Sequence, residues 1–130
     1  SSVPPTDFAA SLSETGHAIL SGLTFETGSS QLADGSFDAL QALADYLAAQ
    51  PDLSVALVGH TDASGSLDGN IVLSKRRAGS VLERLVSDYG VARRQLDAQG
   101  MGYLSPIASN QTQEGRDANR RVEVIVTSTQ

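Results

Sequence analysis

Leu53-Ser54-Val55-Ala56-Leu57-Val58-Gly59-His60-Thr61-Asp62 decides the architecture. Leu53, Val55 and Leu57 alternate, and the intervening Ala56 and Val58 are apolar too, which predicts a strand covered on both faces. It runs directly into Gly59-His60-Thr61-Asp62, so Asp62 should stand just past the carboxyl end of a parallel strand. Open α/β sheets place their ligands there.

Working outward, both flanks read as helices. Upstream, Phe37, Leu40, Leu43, Ala44 and Leu47 recur at intervals of three and four, the stripe of a helix packed on one face. Asp34-Gly35-Ser36 offers capping side chains before it, and Pro51-Asp52 ends it. Downstream of a Gly/Ser/Asp loop, a second helix is expected over residues 68–88. Its stripe is Ala78, Val81, Leu82, Leu85 and Tyr89, with Gly90 as a natural stop. Residues 96–101 suit a short strand, 106–112 a loop, and 112–118 one or two helical turns. Val122, Val124 and Val126 alternate as the last strand. Near the start, Phe8, Ala10, Leu12, Gly16, Ala18 and Leu20 alternate as in a strand, with Glu14-Thr15-Gly16 as a turn. Leu23 and Phe25 continue a short strand that stops at Thr27-Gly28-Ser29-Ser30. Residues 1–7, with two prolines and small polar side chains, read as a linker or processed N-terminal segment, and residues 8–130 as one domain. Strands alternating with helices imply βαβ units. The expected fold class is an α/β (α+β) sandwich with a mixed β-sheet and helices packed on one side.

The polar residues around this frame suggest a chemistry. Asn70, Ser74 and Arg77 are spaced by four and then three, so they share one helix face. That helix must return beside the strand to bury its stripe, which brings its early polar face toward Asp62. A carboxylate and a guanidinium presented together form a receptor for a zwitterion. Asp62 would accept from an ammonium, and Arg77 would grip a carboxylate through two parallel N–H bonds. Each charge-assisted bond is worth about 1.5–3 kcal/mol. A structural salt bridge from Asp62 to Arg77 is the alternative, and spacing does not choose between the two. Asn70 reads equally as a helix cap or a ligand contact, and Ser74 as a cap or solvated residue.

Bulk properties exclude several function classes. The 130-residue chain is long enough to bury one core. It has no cysteine, which removes disulfides, thiolate nucleophiles and thiolate metal sites. A net charge of −6 provides no long-range attraction for nucleic acid or anionic lipid. Arg116, Arg120 and Arg121 lack interleaved aromatics, so they do not read as a nucleic-acid patch. Arg116 is expected to tie down the last loop by salt bridges. Arg120 is divided between that role and a ligand carboxylate, and Arg121 should point to solvent or to acidic neighbours. His60, Asp62 and Ser64 alternate within one segment and cannot easily converge as nucleophile, base and orienter. His60 is expected to pack and hydrogen-bond at the strand end, and His17 to be exposed. No ligand-spaced pair suggests a metal. Neither an enzyme nor a cofactor is expected. No stretch reaches the apolar length of a membrane span, and Ser1 is preceded by no leader, so the chain reads as a processed or excised piece whose membrane contact, if any, belongs to a missing N-terminal anchor or barrel.

The run Gly59-His60-Thr61-Asp62, Gly65, Asn70, Leu73-Ser74, Arg77-Ala78, Val81 and Leu85 resembles the signature of OmpA C-terminal-like domains. Gly90-Val91, Gly100, Pro106, Asn110, Thr112, Gly115-Arg116 and Asn119-Arg120-Arg121-Val122-Glu123 resemble its closing half. Phe25-Glu26-Thr27-Gly28-Ser29 with Leu32 is similar to its first strand and loop, so the resemblance spans about residues 23–127. It implies a non-catalytic module that binds peptidoglycan stem peptides through their diaminopimelate residue. Such a module would anchor an outer membrane or envelope protein to the cell wall from the periplasmic side. The ligand-gripping Asp and Arg of that family fall on Asp62 and Arg77. Further contacts fall on Asn70, Arg120 and the loop at Glu26, Thr27 and Gly28. Gly28 stands where several members carry a polar residue, and residues 64–68 form a small, flexible loop. The alternative is an envelope assembly module on the same fold with an idle pocket.

Overall fold

The computed structural model describes residues 5–25 and 29–129. In order, the elements are helix α1 (Pro5–Thr15), strand β1 (His17–Ile19), α2 (Asp38–Ala48), β2 (Val55–Gly59), α3 (Leu67–Tyr89), a 3₁₀ turn (Arg93–Gln95), β3 (Leu96–Gly100), α4 (Gln113–Asn119) and β4 (Val122–Val126). The sheet order is β1-β4-β2-β3. β2 and β3 run parallel across the α3 crossover, with Val55 opposite Leu96 and Gly59 opposite Gly100. β4 is antiparallel to both β2 and β1. The fold is therefore the mixed-sheet α/β sandwich expected, with one βαβ unit at its centre.

The core lies between one sheet face and the helices. Val55 and Leu57 of β2, Val122 and Val124 of β4, and Ala18 of β1 meet Leu40, Leu43, Leu47, Val81 and Leu85 of α2 and α3. Each large side chain buried this way contributes about 1.5–3 kcal/mol. Ala56 and Val58 face the other way and lie outside this cluster, though only 8% and 7% exposed. β2 is thus not sandwiched between two apolar layers. Its outward residues are short, and the register sets them between longer cross-strand neighbours: Ile125 and Asp97 beside Ala56, Glu123 and Gln99 beside Val58.

Four expectations are corrected in the first third of the chain. The stretch read as an alternating strand is mostly α1, with a true edge strand only at His17–Ile19. Phe8 and Leu12, four apart, satisfy both periods, and the core takes them as one helix face. Pro5 opens that helix inside the stretch read as linker, since proline has no N–H to lose in a first turn. Leu23 and Phe25 form no strand: the segment makes a single bridge, Phe25 to Leu32. Asp34-Gly35-Ser36 does not cap α2, whose N-cap is Phe37, with no side-chain cap bond. The predicted end of α3 is met, with Gly90 in the left-handed region at φ 70°.

Candidate functional site

The site is organised by how closely α3 lies on the sheet. A Cβ at Gly59 would stand 2.8 Å from the Ser74 carbonyl carbon. At Gly100 it would meet Ser74 Oγ at 2.5 Å and the Ile71 carbonyl at 2.7 Å. Only glycine lets the helix backbone settle there. Ser74 is wholly buried at this crossing, donating to the Ile71 carbonyl and accepting from the Gly102 N–H, each at 3.0 Å. It is neither a cap nor a solvated residue. Asp62 follows Gly59 by three positions and Arg77 follows Ser74 by three, so this contact sets the two charges beside each other.

Asp62 is 8% exposed. Its Oδ1 accepts the Ser64 N–H at 2.9 Å, and its Oδ2 pairs with Arg120 Nη1. Burial pushes its pKa up, but the Ser64 N–H, the Ser64 hydroxyl and Arg120 together outweigh this and hold it below the ordinary carboxylate value. The other Arg120 nitrogen pairs with Asp117, three residues earlier on α4. Asn70 is buried and donates to the carbonyls of Ser64 at 2.7 Å and Ser66 at 2.9 Å. It is a latch rather than a cap. The cap is Ser66, which accepts from Gly69 N–H at 3.1 Å. The loop expected to be flexible is thereby tied down at both ends.

Arg77 donates from Nε to the Ser29 carbonyl at 3.1 Å, and its guanidinium lies 5.3 Å from the Phe25 ring centroid. Burial, then the nearby Arg120, lowers its pKa, while Asp62 raises it. All three charges therefore sense one another. Among the described residues, the salt bridge of Asp62 goes to Arg120 and not to Arg77. A cleft of about 250 Å³ opens beside Arg120, with Leu23, Phe25 and Val122 on its walls and Asp117 and Arg120 at its rim. Glu26, Thr27 and Gly28 lie outside the described residues.

The remaining sequence candidates are structural. His60 is 5% exposed and packs at the strand end, where its backbone N–H donates to the Arg121 carbonyl at 2.9 Å, while its Nδ1 has no partner among the described residues. Burial, reinforced by Arg121 and opposed by Glu123, lowers its pKa to about 4. Arg121 pairs with Glu123 at 2.5 Å and donates to the Ser105 carbonyl at 2.9 Å. Arg116 holds the loop through the Asn110 carbonyl at 2.9 Å and the Gln113 side chain, not through salt bridges. His17 is exposed. Among the described residues, no group of three His, Asp or Glu side chains is placed to hold a metal, and no helix is long and apolar enough to cross a membrane. Two members of the site escaped the sequence reading. The Asp117–Arg120 spacing of three on a helix was available as a signal; the stacking of Phe25 beneath Arg77 had none.

A charged cluster outside the carboxyl end of a parallel strand, on a small α/β sandwich, defines a class of binding module rather than a single protein. This chain belongs to the OmpA family, whose profile matches residues 24–120. It is 40% identical over 102 residues to outer membrane porin F of Pseudomonas aeruginosa, covering 78% of this chain and 29% of that protein. It is also 40% identical over 124 residues to the peptidoglycan-binding protein ArfA of Mycobacterium tuberculosis, covering 95% of this chain and 38% of ArfA. The chain thus spans well under half the length of these relatives. The peptidoglycan-associated lipoprotein of Burkholderia pseudomallei superimposes with a TM-score of 0.71 at 28% identity, over 81% of this chain and 88% of that one. The cell wall anchor of the type VI secretion system of P. aeruginosa does so at 0.69 and 27%, over 97% and 98%.

Proposed function

We propose that this domain binds peptidoglycan non-covalently by gripping the free end of a diaminopimelate residue in the stem peptide, and so anchors an envelope protein to the cell wall. The observation that carries the reading is the convergence of Asp62, Arg77 and Arg120 just past the end of β2, with Arg120 at the rim of a cleft. That end of diaminopimelate is an ammonium and a carboxylate on one carbon, the charge pair these side chains complement. Arg77 and Arg120 take the carboxylate and Asp62 the ammonium. Asn70 acts indirectly by fixing the loop that donates to Asp62. In this reading the domain holds its ligand unchanged, as a binding module and not an enzyme. Relatives named as a peptidoglycan-binding protein and a cell wall anchor support the wall as partner. Those named as outer membrane proteins support a place in the cell envelope, on the periplasmic side of the outer membrane.

The test is retention on purified sacculi, compared among the wild-type chain, Asp62→Ala and Arg77→Ala. Removing one side of a desolvated charged contact costs about 2–5 kcal/mol, so both variants should wash off. Equal retention of all three would sink the proposal. No retention of the wild type would leave an assembly module with an idle pocket.

A further inference from the structure

Both oxygens of Asp62 are already engaged. One accepts the Ser64 N–H and the other faces Arg120, whose second nitrogen is held by Asp117. Together with Arg77 the cluster has two cations and two carboxylates, and is neutral. A bare amine approaching Asp62 meets an occupied carboxylate and a resident guanidinium of its own sign. A carboxylate meets the opposite situation, because Arg77 and Arg120 stand close enough to oppose each other's charge, and an anion between them relieves that repulsion.

We infer that Arg120 is a specificity-determining residue of this site: its pairing with Asp62 lets an ammonium in only when the same ligand group brings a carboxylate to receive the displaced guanidinium. This rests on the peptidoglycan reading and adds to it a discriminator between stem chemistries. The geometry says which partner moves. The Asp62 side chain is 11% exposed, whereas those of Arg120 and Asp117 are 37% and 60% exposed. Asp62 is the fixed member, held by the pinned loop, and Arg120 the mobile one, at the edge of a cleft with room for a ligand carboxylate. On binding, the carboxylate draws Arg120 off Asp62, and the ligand ammonium takes its place there. Arg120 keeps Asp117 throughout, so the cluster and a zwitterion exchange partners without leaving an unpaired charge. A lysine side chain offers an ammonium alone. It brings a third cation to a cluster of two carboxylates and no anion to balance it, a cost desolvation makes severe.

The experiment is calorimetric titration of the whole chain with two stem tetrapeptides identical except that one carries meso-diaminopimelate and the other lysine. In the tetrapeptide the main-chain carboxyl of that residue is in an amide bond, so only the side-chain end differs. The wild type should prefer diaminopimelate. Arg120→Gln should shrink the ratio of the two affinities about tenfold, the worth of one charge-assisted bond, with the lysine peptide gaining in absolute terms. Arg120→Lys should keep most of the preference. Because the ratio is measured within one variant, any loss of folded fraction lowers both affinities alike and leaves it unchanged. An unchanged ratio in Arg120→Gln, alongside clear diaminopimelate binding by the wild type, overturns the role of Arg120 alone. Binding of neither peptide by the wild type overturns the peptidoglycan reading with it.

Discussion

Gly59→Ala probes the contact on which the site depends. The added methyl would lie 2.8 Å from the carbonyl carbon of Ser74 and nearer still to its oxygen. Carbon atoms rest about 3.5–4.0 Å apart, so strand and helix must separate by roughly 1 Å. The obstacle is backbone in the middle of α3, and a methyl on the neighbouring Gly100 would meet the same stretch of helix, 2.7 Å from the Ile71 carbonyl oxygen. No side-chain rotation relieves it. Overpacking of this kind costs about 1–3 kcal/mol, and a backbone obstacle puts Gly59→Ala near the upper end, about 3 kcal/mol. The same displacement carries Arg77 away from Asp62, so affinity for a diaminopimelate stem peptide should fall at least about tenfold, one charge-assisted bond's worth. Urea unfolding followed by far-UV circular dichroism gives the first quantity and calorimetric titration the second. Gly79→Ala is the control. It lies in the same helix with nothing within 4 Å of the new methyl, and should stabilise by up to about 1 kcal/mol through helix propensity. A loss of less than about 1 kcal/mol in Gly59→Ala, or early unfolding with unchanged affinity when folded, would refute the role of this contact.

Two further outcomes follow from buried polar groups. His60 has its pKa lowered from 6.5 to about 4 by burial, so between those values the unfolded chain takes up a proton that the folded one refuses. Its contribution is complete above pH 6.5 and falls by about 3 kcal/mol as the pH drops to 4, levelling off below. NMR titration of the His60 ring checks this, and a midpoint near 6.5 would refute it. Asn119 is wholly buried and makes four bonds, accepting from the N–H groups of Ile107 and Ala108 and donating to the Ala108 carbonyl and Asn110 Oδ1. Asn119→Ala leaves these groups unmatched and should cost about 3 kcal/mol in urea unfolding. A loss under 1 kcal/mol would mean that water replaces the side chain freely.

Asp62 is the least mobile charge of the site because so much is invested in holding its loop. Asn70 latches Ser64 and Ser66, and the Thr61 N–H donates to the Gly102 carbonyl at 2.8 Å. Gly102 is in turn bound to Ser74 Oγ. These bonds connect the strand end, the loop and the helix into one frame. Asn70 and Ser74, which share a helix face with Arg77, are used inside that frame, and the charges of Arg77 and Arg120 stand at its edge.

Elements whose signal is periodic and local are legible in the amino-acid sequence. A helix stripe from Leu40 to Leu47 and another from Ala78 to Leu85, the apolar run at Val55–Gly59, and Gly90 after Tyr89 are each decided by side chains a few positions apart. Asp62 beyond a parallel strand followed from the same logic. Tertiary structure alone decided the rest, because each undecided feature depended on a partner distant in the chain. Phe8 and Leu12 fit either period until the core selected a helix. Ser74 became buried because two glycines from β2 and β3 admit α3 so closely. Arg120 reached Asp62 across 58 positions, where spacing had offered Arg77 as one possible partner. Periodicity reports which face of an element is apolar, whereas the pairing of charges depends on where those faces meet, and only the packed chain sets that distance.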